Sequence, residues 1–223
     1  MKSSFFYEGR HRGVAKKIKA FLNAAPEFLS AQTAGSPRAV GDAVQALIAE
    51  KFDVFLGSWC AEYSSTFARR AMADIAFRDK EKLYCVVDVK THREDTAFNM
   101  PNLTSVERLS RFYEDDANVF AMLMIKYGTK QNRIIVTEVI FEPIEFLNWE
   151  CLTIGALGWG QIQIANSNRI VIDEKYSRKQ WMLELCDIMM AFYPKEISKI
   201  QERIGRFEEI KTWWSNKEDI WVQ

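Results

Sequence analysis

The sequence predicts a mixed α/β fold: a mixed central β-sheet flanked by helices, with further helices toward the C-terminus. Three observations carry this prediction. Apolar residues recur at helical spacing over roughly the first fifty positions. Between residues 71 and 141 the pattern becomes alternating or continuously apolar, and from residue 177 helical spacing returns.

Val14, Ile18, Phe21 and Leu22 share one helical face, with lysines between them. Ala34-Gly35-Ser36-Pro37 is a break, after which Val40, Val44, Leu47 and Ile48 mark a second helix. Asp42 lies near its start, where the helix dipole favours a carboxylate. Ala71 to Phe77 is short and alternating, and Arg78 to Lys82 forms a charged turn. Leu83 to Val89 is a near-continuous apolar run of the kind found in a central strand. Two strands joined by so short a turn predict an antiparallel hairpin.

Thr104-Ser-Val-Glu107 has capping-box spacing and predicts a helix through about Tyr113. Val119 to Tyr127 and Arg133 to Phe141 predict two strands around a polar turn at Gly128. Gly155 to Gly160 is a glycine-rich loop leading into a short strand, Gln161 to Ile164. Ser177-Arg-Lys-Gln180 is a second capping box, and Trp181, Leu185, Ile188, Met189 and Phe192 form a helical stripe until Pro194. Ile197, Ile200, Ile204, Phe207 and Ile210 continue at helical spacing. With no repeat and no low-complexity linker, one domain over residues 1–223 is expected. Its N-terminal helices span about 10–52, its core about 69–142, and its loop and C-terminal helices about 150–223.

Composition excludes several classes. The 223 residues carry 30 Lys+Arg and 30 Asp+Glu, so bulk positive charge cannot drive binding to a polyanion. One local basic surface remains compatible with that total. An apolar fraction of 48% is enough for a sizeable core and argues against disorder. No apolar run approaches the ~20 residues of a membrane span, and Met1 to Glu8 has no signal-peptide core. Cys60, Cys85, Cys151 and Cys186 are widely spaced with no CxxC pair, which predicts reduced thiols and a cytoplasmic setting. The two histidines, His11 and His92, do not suffice for a His-rich zinc site. Neither a phosphate-cradling glycine motif nor a dinucleotide fingerprint occurs, so no nucleotide cofactor is expected.

One feature stands out in the hairpin. Asp88-Val-Lys90 places two charges inside an apolar strand, and residues two apart on a strand emerge on the same side. The partner strand has its own out-of-pattern acid, Asp74, which an antiparallel pairing can set across from Asp88. Burying three charged groups is costly unless they compensate each other or hold a cation. Two carboxylates suit Mg²⁺, and a lysine beside them can steady an attacking hydroxide or the charge developing on phosphate. On an edge strand the same triplet is a solvated ion pair. From the residues alone both readings stand.

Ala73-Asp-Ile75, a charged turn, an apolar strand and Asp88-Val-Lys-Thr91 resemble the PD-(D/E)XK nuclease core. More narrowly, they look like the blunt-cutting HincII/EcoRV group of type II restriction endonucleases. In that group a Pro-Asn contacting DNA follows the lysine at a matching distance. Here Pro101-Asn102 follows Lys90, and Asn99 stands where a glutamine enters the base stack. Gly160-Gln-Ile-Gln163 and Ser177 to Trp181 are similar to a downstream strand and helix start, so the likeness spans roughly residues 35–200. Two departures occur: the spacing from Asp74 to Asp88 is one residue longer, and Gly155 replaces an asparagine.

The resemblance implies that Asp74, Asp88 and the carbonyl of Val89 ligate Mg²⁺ while Lys90 assists the attacking water. It implies that Thr91 to Asn102 flanks a DNA groove, with Asn99 and Asn102 in contact, and that Gly155 to Gly160 is a second recognition segment. Asn and Gln side chains suit adenine readout, which draws in Gln161 and Gln163, and glycines around Trp159, Gly155 and Gly158 included, admit close backbone approach. Arg93, Arg108, Arg111, Lys126, Lys130 and Arg133 are candidate phosphate contacts, about half of them expected to be merely solvated. The preferred expectation is a homodimeric, Mg²⁺-dependent restriction endonuclease cutting both strands of a short palindrome in double-stranded DNA. Its products would be blunt ends with 5′-phosphates. A repair or recombination nuclease of the same core, and a non-catalytic DNA-binding relative, remain as alternatives.

Overall fold

The structure, a computed structural model, describes residues 3–24, 36–64, 73–130 and 133–219. The chain groups into two compact units, Met1–Tyr176 and Ser177–Gln223, where the unbroken sequence suggests one. The first unit begins with α1 (Ser4–Tyr7), α2 (His11–Ala24) and α3 (Pro37–Leu56), followed by β1 (Cys60–Ser64), β2 (Ile75–Asp79) and β3 (Tyr84–Arg93). Next come β4 (Asn102–Ser105), α4 (Val106–Phe112), β5 (Asn118–Lys130), β6 (Arg133–Pro143), β7 (Leu152–Gly155) and β8 (Gln161–Ile164). The second unit is one helix, α5 (Arg178–Ser215). Among the described residues no helix is long and apolar enough to cross a membrane.

The class is the mixed α/β expected. A five-stranded sheet runs β1-β2-β3-β5-β6, and a three-stranded antiparallel sheet runs β4-β8-β7. In the larger sheet only β3 and β5 are parallel, with β4 and α4 lying in the chain between them. The Leu83–Val89 run becomes the middle strand, extended to Arg93. Alternation along β3 sends Cys85, Val87 and Val89 into an aromatic-rich cluster with α1, α2 and α3. The intervening residues, including Asp88, face the other side.

α3 starts where Ser36 Oγ accepts from Ala39 N–H at 3.4 Å, with Pro37 in its first turn. Val40, Val44, Ile48 and Phe52 then recur every fourth residue and are buried. Asp42 is exposed and lies beyond the first turn, too far along to use the orphan N–H groups that its proximity to the start suggested. Asn23 at the end of α2 donates to Val136 O at 3.0 Å and accepts from Val136 N at 2.9 Å. A side-chain amide thereby takes the place of a neighbouring strand on the outer edge of β6.

Several local expectations are corrected. Gly128 lies inside β5, because the β5–β6 ladder runs on to Lys130 and Arg133; residues 131–132 lie outside the described residues. The capping box predicted at Thr104 shifts by one: Thr104 belongs to β4, paired with Ile162, and Ser105 precedes the helix without a side-chain cap. Pro194 does not end the C-terminal helix. It sits on an exposed face, where the Met190 carbonyl that loses its donor is open to water. The charged turn is shorter than predicted, because β2 reaches Asp79 and that acid is fully buried. Its Oδ1 accepts from Glu81 N at 2.8 Å and Leu83 N at 2.9 Å, building the hairpin turn in which Lys82 takes φ +68°.

Asp79→Ala removes the one oxygen that accepts both bonds and leaves its two backbone donors, the buried Leu83 N–H among them, unanswered. It is expected to cost about 1–3 kcal/mol, read as a lower urea midpoint, with Asp79→Asn milder because it keeps an oxygen.

Candidate active site

The β2–β3 hairpin pairs Ile75 with Val87 and Ala76 with Val86. Continued by one residue, that register sets Asp74 beside Asp88, and Asp74 N–H donates to Val87 O at 3.1 Å. The pairing proposed from sequence is therefore the one found. Lys90, two residues along the same strand, donates from Nζ to Asp88 Oδ1 at 2.8 Å. The three charged side chains form one cluster at the sheet's centre.

Their environments differ. Asp88 is 5% exposed and stands next to Met122 of β5, itself fully buried. Burial pushes its carboxyl up to about 7, only partly opposed by Lys90, and the charge of Asp74 adds to the rise. Among the described residues its Oδ2 finds no hydrogen-bond donor. Asp74 is half-buried and fully engaged: Oδ1 accepts from Gln45 Nε2 at 2.7 Å and Oδ2 from Val89 N–H at 2.8 Å. Lys90 is partly exposed, so the cluster opens toward solvent on its side.

Gln45 is a site residue that sequence reasoning does not single out. It lies beside Val44 on the inner side of α3, one turn after Gly41, and nothing in helical periodicity distinguishes it from a surface amide. Where a Cβ on Gly41 would project, Thr91 Oγ1 lies 3.2 Å away. Thr91 thus packs toward α3, and with His92 and Arg93 it belongs to β3, which continues this far because its ladder with β5 does.

The buried ring of His92 organises the segment between β3 and β4. Its Nε2 lies 2.6 Å from Asn168 Oδ1, and its Nδ1 lies 3.4 Å from Asn99 Nδ2. A ring protonated on Nε2 alone satisfies both contacts. Asn168 Nδ2 donates onward to Thr96 O at 3.0 Å. Asn99 thus joins the β3–β4 segment to β3 through its side chain, while remaining half-exposed.

Asn102 is exposed, and its Oδ1 accepts from Gln163 Nε2 at 2.6 Å across the β4–β8 pair. Gln161 and Gln163 occupy the half-exposed positions of β8, while Ile162 and Ile164 are buried. Gly155, the departure from the resembled pattern, has a local reason: a Cβ there would lie 2.7 Å from the Gln163 amide. Gly158 and Gly160 both take positive φ in the β7–β8 turn, and Trp159 between them is 59% exposed, not a core residue.

The candidate phosphate contacts are more committed than their sequence positions suggest. Arg93 is ion-paired with Asp95, Arg111 with Glu107 at 2.9 Å, and the nearly buried Lys126 with Glu138 at 2.9 Å. Arg108 and Arg133 are exposed. The Lys130 side chain lies outside the described residues.

Among the described residues no group of three or more His, Cys, Asp and Glu side chains converges as a metal cage. The donor set at Asp74 and Asp88 nevertheless fits a hard divalent cation that keeps waters in its shell: two carboxylates, one with an orphaned buried oxygen. Val89, whose carbonyl the resemblance adds as a ligand, lies on β3 between Asp88 and Lys90. No protein-family model matches the sequence, and no curated protein matches it significantly.

The raised pKa of Asp88 gives a signed pH dependence for the metal-free protein. Unfolded, the carboxyl ionises near 3.8; folded, it holds its proton to about 7. The folded state binds more protons in that interval, so stability is full below 3.8 and falls as pH rises toward 7, by on the order of a few kcal/mol. Thermal unfolding in a chelator across this window checks it, and Asp88→Asn is expected to flatten the slope.

Proposed function

We propose that the protein is a site-specific endodeoxyribonuclease of the restriction type, acting on double-stranded DNA with Mg²⁺ as cofactor. The observation that carries the reading is the orphaned, buried carboxylate of Asp88, set beside Asp74 and Lys90 in the central strand. A carboxylate so placed is costly without a positive charge that Lys90 alone only partly supplies.

In this reading Asp74 and Asp88 hold the cation, with the Val89 carbonyl completing the protein's share. Gln45 and the Val89 N–H orient Asp74 through the bonds described above. The bound cation supplies Lewis-acid stabilisation of charge on the phosphate. Lys90, partly exposed, directs its ammonium at the attacking water and the phosphate oxygens. Water adds to phosphorus in line, the bond from phosphorus to the 3′ oxygen breaks, and that oxygen takes a proton as it leaves. The products carry a 5′-phosphate and a 3′-hydroxyl, and by resemblance the ends are blunt.

Sequence readout falls to the polar side of the three-stranded sheet. Asn102, Gln161 and Gln163 present donor and acceptor pairs there, and the β7–β8 turn carries exposed Leu157 and Trp159. Two strands of a palindrome call for two copies of the site, hence a homodimer. Four free thiols support a cytoplasmic setting.

Incubated with plasmid DNA and Mg²⁺, the protein is expected to give discrete fragments whose sequenced ends share one site. Lys90→Ala should lower the rate by about 100-fold or more, and Asp88→Asn likewise. Specific duplex binding without cation-dependent cutting would make it a DNA-binding relative; smeared digestion would make it a nuclease without strict specificity. Either result overturns the restriction reading.

A further inference from the structure

The second unit carries two apolar stripes on one helix. Trp181, Leu185 and Met189 are buried. Met190, Tyr193, Ile197, Ile200, Ile204 and Phe207 form the other stripe, each between 39% and 69% exposed. Their separations alternate three, four, three, four, three. Leu183 and Cys186 extend the series backward, and forward Trp214 falls in step after Lys211 takes the intervening position, all three apolar side chains being exposed.

That is a strict seven-residue repeat, averaging 3.5 residues per apolar position. A lone α-helix turns every 3.6 residues, so a 3.5 repeat sustained from Leu183 to Phe207, more than three heptads, keeps one seam only if helices wind about each other. From Ile197 to Ser215 only Gly205 and Ile210 are even partly shielded. A helix bare to water over that length is marginal by itself, and its six large apolar side chains need a cover.

We propose that this seam is a parallel, in-register coiled coil with a second copy of the chain. The charges beside it select that occupant. With Ile197 and Ile204 at first core positions and Ile200 and Phe207 at second ones, Arg203 and Glu208 fall on the two flanks. In a parallel in-register pair a residue on one flank meets the residue five places on in the other helix, so Arg203 of each copy faces Glu208 of the other. The adjacent Arg206 and Glu209 lie away from the seam and pair within their own helix at 2.8 Å. The interface deepens the homodimer invoked above, but it rests on α5 alone and needs neither DNA nor cation.

Sedimentation of the full chain is expected to give a dimer, with Ile204→Asp raising the dissociation constant by more than about 100-fold and Ile204→Val sparing it. The exposed position leaves the body's thermal unfolding unchanged. In a Cys186→Ser background, Ile200→Cys should form a disulfide-linked dimer on mild oxidation, since second core positions face each other across the two-fold axis. Glu202→Cys, on the outer side, should not. A monomer or trimer, or an Ile204→Asp dimer of undiminished affinity, overturns the proposal. A dimer that Ile200→Cys fails to link overturns the parallel arrangement. Loss of DNA cleavage with the dimer intact would count against the nuclease reading and leave this one standing.

Discussion

A carboxylate enclosed in the central strand of a sheet sets the terms for its surroundings. Asp88 is almost completely removed from water, yet among the described residues only one of its oxygens is answered, by Lys90. The group's response to that enclosure is a proton affinity about three orders of magnitude above the ordinary carboxyl value, from 3.8 to about 7. Lys90 shares the face of Asp88, as the two-residue strand period provides, and partly offsets the burial, whereas Asp74, held by Gln45 and Val89 N–H, adds a like charge that raises the cost.

The same economy of fixed polar groups extends outward from β3. His92 lies four residues beyond Asp88 on the same side of the strand, and its two ring nitrogens bind Asn99 and Asn168. The segment that leaves the strand is therefore anchored to it, and Ser167 adds a second tie by donating from N–H to Asn99 O at 3.3 Å. Beyond that anchor, the Asn102–Gln163 bond joins β4 to β8, and a bare Gly155 leaves room for it. The small sheet is tied to the chemical cluster through hydrogen bonds rather than through the aromatic-rich core. Its Asn102 and Gln163 amides are held to each other at the sheet surface.

Much of this is legible from residue patterns. Two charges inside an apolar strand, with a third acid in its hairpin partner, can be read because strand periodicity is local and the hairpin is short. Thr104, Gly128 and Pro194 mislead for a common reason. Each carries a strong local preference, for a cap, a turn or a helix end, and each is overruled by pairing or exposure that the local pattern does not contain. Thr104 is held by Ile162 across a sheet, Gly128 by Ile135, and Pro194 is tolerated on a face open to water. Gln45 escapes notice because its partner lies 29 residues away on another element.

By itself the sequence determined the class of fold, the identity and proximity of Asp74, Asp88 and Lys90, and the helical spacing of the last apolar stripe. Those features depend on spacing along one strand, one hairpin or one helix, where backbone geometry converts residue number directly into position. Only the tertiary structure decided that Asp88 keeps an unanswered oxygen, that Asn99 serves His92, and that Arg93, Arg111 and Lys126 already have carboxylate partners. Whether a polar group is available depends on which distant groups reach it first, and that competition is settled only when the chain has closed on itself.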